Sequence, residues 1–169
     1  LGRELGVRAE QTFIVPGNHD IDRRGDKERQ IRRLLPLLRD GAESLDDALA
    51  DEADRSLLRR RQAAYLTFAR NFAPACFSPD QDHWLFWRHR VIDPRGGLRI
   101  IGLNTALLAQ AQDQGKLRLG RQVLTEAITT PARTENEIAI VLSHHPFYGG
   151  WLADEKHCVS WMNDHAHLH

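Results

Sequence analysis

The chain is poor in the features that would take it out of the ordinary globular classes. Only two of its 169 residues are cysteine, Cys76 and Cys158, far apart and in no C-x-x-C pair. That spacing offers neither a disulfide framework nor a zinc ribbon. Reduced thiols in a cytoplasmic protein are the expectation, with a single structural disulfide left open. No apolar run approaches the ~20 residues of a membrane span. The opening LGRELGVRAEQ has no apolar core of the kind a signal peptide needs. Charge of one sign is also lacking, because 23 Lys+Arg balance 23 Asp+Glu. Binders of nucleic acid or of membrane surfaces carry a basic excess or patch. A membrane is therefore not expected as a partner, and nucleic acid only as a substrate. No internal repeat, low-complexity tract or linker breaks the chain. Hydrophobic residues make up 41% and charged residues 27%, a composition able to bury a core without staples.

What is abundant is histidine. There are nine, and six of them fall between His144 and His169. Histidine is the commonest metal ligand and the natural proton shuttle near neutral pH.

Alternating patterns indicate an α/β layered domain. Thr12–Val15 reads as a short buried strand stopped by Pro16-Gly17. From Asp22 to Arg61 the pattern is charge-dense and helical. Ile31, Leu34, Leu35 and Leu38 form one apolar stripe, and Pro36 within it predicts a kink or break. Glu43–Asp54 holds six acids and no base, and Arg55–Arg61 four arginines and no acid. A solvated helical hairpin of opposed charge accounts for both. Tyr65, Phe68 and Phe72 carry the helix on into a core contact. Trp84–Trp87, Val91-Ile92 and Leu98–Leu103 read as strands, with a hairpin turn at Pro94–Gly97. A short amphipathic helix follows Gly120, bearing Val123, Leu124 and Ile128. Ile138–Leu142 is a continuous apolar run, as expected of a strand buried on both faces.

Two segments share one design. Phe13–Val15 delivers Asn18, His19 and Asp20 at its carboxyl end, and Ile140–Leu142 delivers His144 and His145 at its own. Ligands of open α/β sheets bind outside the carboxyl ends of the strands. An amide oxygen and imidazole nitrogens there suit Mn, Fe or Zn. Asp20 beside His19 is placed to fix that ring's tautomer. Taken singly, Pro-Gly-Asn is an ordinary turn and His-His-Pro an ordinary loop; it is their conjunction that points to a site.

Val15-Pro16-Gly17-Asn18-His19-Asp20 resembles the G-N-H-[DE] block of the calcineurin-like metallophosphoesterase family, and Val141–Pro146 resembles that family's later strand-plus-His block. Ile101–Thr105 and Gly115–Gly120, with Gln122 nearby, resemble the intervening segments more weakly. The resemblance implies an α-β-β-α sandwich spanning residues 1–169, incomplete, with residues 22–73 as a helical insertion or cap. It implies two divalent metal ions (Mn, Fe or Zn) and a bridging hydroxide that attacks a phosphomonoester or phosphodiester in line. Asn18 and His144 would bind the same metal, with His145 behind them. His19 would face the scissile phosphate as a catalytic residue, and Asp20 would orient it.

The pattern departs from the family at both ends. The D-x-H and G-D blocks are absent, which suggests a segment of a longer protein. Ala166-His167-Leu168-His169 either stands in for the family's closing G-H-x-H or is the strand that precedes it. With ligands missing from one side of the site, the segment alone is expected to be inactive. A degenerate, non-catalytic binding or regulatory module is the competing expectation.

Overall fold

In the computed structural model, residues 6–77, 84–93, 96–130, 134 and 136–167 are described. Among the described residues the sheet has three strands in the order β1-β2-β3, namely β1 (Phe86–Asp93), β2 (Gly96–Leu103) and β3 (Glu137–Leu142). β1 and β2 form an antiparallel hairpin closing at Asp93↔Gly96. β2 and β3 run parallel, from Gly97↔Glu137 to Gly102↔Leu142, so their carboxyl ends emerge at one edge. The crossover between them carries α5 (Arg121–Thr129). Before the sheet come α1 (Arg29–Asp40), α2 (Leu45–Ala50), α3 (Glu52–Arg60) and α4 (Ala63–Phe72), and after it α6 (Glu155–His165). This is an α/β chain. Among the described residues no helix is long and apolar enough to cross a membrane.

The alternation of side chains along the strands sets up two apolar layers. Ile101, Leu103 and Val141 belong to the main core, with Leu124 and Ile128 of α5, Met162 of α6 and the stripe Ile31, Leu34, Leu35, Leu38 of α1. The other face holds Trp87, with Ala73 and Cys76, and takes up Phe13, Ile14, Val15, Ile100 and Leu142. Trp87 stands opposite Gly102 in the ladder, and a Cβ at Gly102 would lie 2.1 Å from the indole. The absent side chain on β2 is what lets the indole lie flat against the sheet. Both cysteines are free and buried.

Several expectations need correction. Residues 12–15 form no strand. The Ile14 N–H donates to the Cys76 sulfur (3.4 Å) and the Ile14 carbonyl accepts from the Trp87 indole N–H (2.7 Å). With both groups committed to side chains, the segment lies on the sheet without joining its ladder. α1 passes through Pro36 without a break; its buried stripe outweighs the one backbone bond that proline removes. Phe68 and Phe72 are exposed, at 55% and 51%. α4 buries Leu66 and Ala69 instead, and the two phenylalanines stack on each other with centroids 5.0 Å apart. β3 is not buried on both faces. Ile138 is 53% exposed, on the face whose apolar cluster takes in Ile100 and Leu142 but does not reach it.

The arginine run is not wholly solvated either. Arg61 is buried, paired with Asp26 at 2.7 Å, and donates to the carbonyls of Leu107 and Ala109. Arg39 is likewise buried, 2.8 Å from Asp113, and donates to the carbonyls of Leu108 and Gln112. These two cations dock the loop after β2 onto the helical layer. Removing one partner of such a pair strands a buried charge, which typically costs about 3–5 kcal/mol.

Candidate metal centre

The site is built where β2 and β3 end. β2 runs into Asn104 and Thr105, both buried. The Asn104 amide donates to Gln62 Oε1 (2.6 Å) and to the Trp84 carbonyl (2.9 Å), and its oxygen accepts from the Ala106 N–H (3.0 Å). Thr105 reaches across to the end of β3. Its hydroxyl oxygen accepts from the His145 N–H at 3.0 Å and lies 3.1 Å from His145 Nδ1. His145 is 4% exposed. Burial, with His144 alongside, holds its imidazole below the ordinary histidine value. The residue so anchored is a support, and it turns its neighbour His144 out to the exposed side. The two rings meet edge to face at 4.7 Å.

The second loop comes up against His144 from the other side. Pro16 and Gly17 are buried, and Asn18 is half-buried. A Cβ at Gly17 would stand 3.0 Å from His144 Cε1 and 3.1 Å from its Nδ1. With any larger residue at this position the His144 ring would have to shift by a few tenths of an ångström. The turn that follows is closed by Asp20, whose backbone N–H donates to the Gly17 carbonyl (3.0 Å) and whose Oδ2 accepts from the Gly17 N–H (2.8 Å). The Asn18 carbonyl accepts from Arg23 Nη2 at 3.0 Å.

The fold thus brings together the two proposed ligand loops, the one bearing Asn18 and the one bearing His144. His19 and Asp20 are exposed beside them. The expected pairing of Asp20 with His19 is not formed among the described residues. Asp20 folds back on its own turn, a local bond that a short carboxylate at the fourth turn position makes more easily than one to the adjacent ring. Among the described residues His19's exposed ring nitrogens take no hydrogen-bond partner. Thr105 and Arg23 were not singled out from the sequence. Thr105 sits in the weakly resembling Leu-Asn-Thr block, and Arg23 follows the Gly-Asn-His-Asp turn at close range; those positions were the only signals available.

An amide oxygen and an imidazole nitrogen are suitable donors for a divalent metal. Among the described residues no group of three or more His, Cys, Asp and Glu side chains is placed to hold one. Asn18 and His144 would offer a metal ion two donors of suitable type. Ala166 and His167 extend from the end of α6, and His167 hydrogen-bonds Ala139 of β3 through its backbone N–H (3.0 Å) and through Nδ1 (3.0 Å). Its ring is thus turned to the sheet edge. His169 lies outside the described residues. Comparison with protein-family models, curated proteins and solved structures finds no match.

Proposed function

We propose that this chain supplies part of a metal-dependent phosphoesterase that hydrolyses a phosphomonoester or phosphodiester. The observation that carries the proposal is the approach of the Gly17–Asn18 turn to His144. Two loops about 125 residues apart converge, with Gly17, the residue before Asn18, packed so closely under the His144 ring that an added Cβ would push the ring aside. In this reading the three-stranded sheet is one half of an α-β-β-α sandwich, with residues 22–73 as a helical cap. The apolar cover that Phe13–Val15 lays on the second face supports that layering.

Two divalent ions held there would supply Lewis acidity toward a phosphoryl group. The chain's own residues then divide the work. Asn18 and His144 bind from one side. His145, fixed by Thr105, sets the direction of His144. His19, exposed and uncommitted, stands next to Asn18 and donates a proton to the departing oxygen. Asp20 rigidifies the turn that carries both.

The test uses the protein that carries this chain, with elemental analysis alongside an aryl-phosphate assay. Asn18→Ala and His144→Ala each lower metal content and turnover together; unchanged metal content in both sinks the ligand assignment. His19→Asn leaves metal content near normal and lowers kcat by about 10²–10⁴, the usual worth of one acid–base group. The loss is smaller for nitrophenyl esters, whose leaving groups need less protonation. Equal losses for good and poor leaving groups refute the proton-donor role. A non-catalytic module is the second reading, favoured by the incomplete donor set and by the absence of an Asp20–His19 bond.

A further inference from the structure

An open cavity of about 600 Å³ is lined by Arg23, which also donates to the Asn18 carbonyl of the candidate centre. Its walls come from the turn at Arg23–Asp26, from α1, and from the loop between Gln110 and Lys116. Pockets of this size hold small molecules.

The charges on its walls almost cancel, and the remainder is informative. Arg39 is neutralised by Asp113 at 2.8 Å. Lys116 is paired with Asp40 at 2.6 Å. Asp26 is answered by Arg61 at 2.7 Å. Arg23 has no carboxylate partner among the described residues. Its one hydrogen bond goes to a neutral acceptor, the Asn18 carbonyl at 3.0 Å, and its Nε has no acceptor. The cavity therefore carries one uncompensated guanidinium, positioned at the end nearest Asn18. The rest of the lining includes the amides of Gln110, Gln112 and Gln114, which both donate and accept hydrogen bonds.

We propose that this cavity binds a small phosphorylated molecule with a polar, hydrogen-bonding body, and that Arg23 holds its anionic oxygens. A guanidinium presents planar N–H donors that match a phosphate's oxygens, and it is always charged. The glutamine-bearing wall takes the body of the ligand, which a sugar or a nucleoside would equally supply. This deepens the phosphoesterase reading and rests on it for naming the bound molecule a substrate. Binding at Arg23 itself needs no metal.

The test is calorimetric titration of the chain, without added metal, against AMP, glucose 6-phosphate, adenosine and glucose. The expected result is binding of one or both phosphorylated probes and at least tenfold weaker binding of their unphosphorylated partners. AMP bound alone makes the body a nucleoside; glucose 6-phosphate bound alone makes it a sugar. Arg23→Gln weakens the phosphorylated probe at least tenfold. Arg23→Lys, which keeps the charge and loses the planar fork, falls between. Far-ultraviolet circular dichroism confirms that both variants are folded, and Arg23→Lys carries the test if Arg23→Gln is not. Asn18→Ala retains phosphate binding while lowering metal content. A metal result that fails therefore overturns the phosphoesterase reading and leaves this one standing. Binding of none of the four probes, binding of adenosine as tight as AMP, or equal affinity in wild type, Arg23→Gln and Arg23→Lys overturns the proposal.

Discussion

The two loops that meet at the candidate centre are held in different ways. The Gly17–Asp20 turn is closed by itself, through a carboxylate that reaches back three residues to the Gly17 N–H. The Ser143–His145 loop is held from outside, by a threonine at the end of the neighbouring strand, 40 residues earlier in the chain. The first is a local device that any isolated copy of the segment could form. The second exists only once β2 and β3 are paired in register. Two loops that meet need not be positioned by one mechanism; here one side is preset and the other is assembled by folding.

That contrast can be broken from either side. Thr105→Val has the largest expected effect. It removes two hydrogen bonds and leaves the buried His145 imidazole and N–H stranded, at a cost of about 2–4 kcal/mol. Urea unfolding checks this, against His144→Ala, which removes an exposed ring and stays within about 0.5 kcal/mol. Equal losses in the two would mean that Thr105 is no anchor. Asp20→Ala opens the self-made turn and costs about 1 kcal/mol, since the bond is made at an exposed site. Asp20→Asn, which keeps an acceptor oxygen, recovers most of that; if it does not, the turn is not closed by this bond. Gly17→Ala changes stability by less than about 1 kcal/mol, because only a side-chain ring lies in the way. Its effect is on geometry. The His144 ring shifts, its carbon-bound protons move in the NMR spectrum, and metal uptake falls. An unmoved His144 signal would mean that the two loops do not touch in solution.

The same division explains what the sequence made legible. Pro-Gly-Asn-His-Asp announces a local turn, and the turn is there. The helical stripe of α1, the β1–β2 hairpin and α5 are also local patterns, and they form. What escaped reading depends on partners distant in the chain. Phe68 and Phe72 have helical spacing, but which face of α4 meets the core is decided by Leu66 and Ala69 packing elsewhere. Thr12–Val15 has a strand's composition, but its backbone groups are claimed by Cys76 and Trp87. Ile138 belongs to an apolar run, yet the cover on its face of the sheet stops short of it. The turn before Asn18 and the His144 ring lie against each other, with Gly17 at the contact. The Asp20–His19 pairing does not form among the described residues, because adjacency in sequence says nothing about which nearby N–H a carboxylate will take.

One detail of the sheet has a bearing on how the molecule behaves in company. Ala139 presents its N–H and carbonyl on the side of β3 away from β2, and a single residue, His167, occupies both. Its imidazole nitrogen takes the place of a carbonyl that a neighbouring strand would offer. An unpaired strand edge is a template for another chain, and Ile138 beside it adds an exposed apolar side chain. Among the described residues His167 thus occupies the Ala139 groups that a further strand would otherwise take. Removing the ring frees a main-chain donor beside that isoleucine. The consequence would be felt in colloidal behaviour, as concentration-dependent light scattering, before any change in the folded monomer.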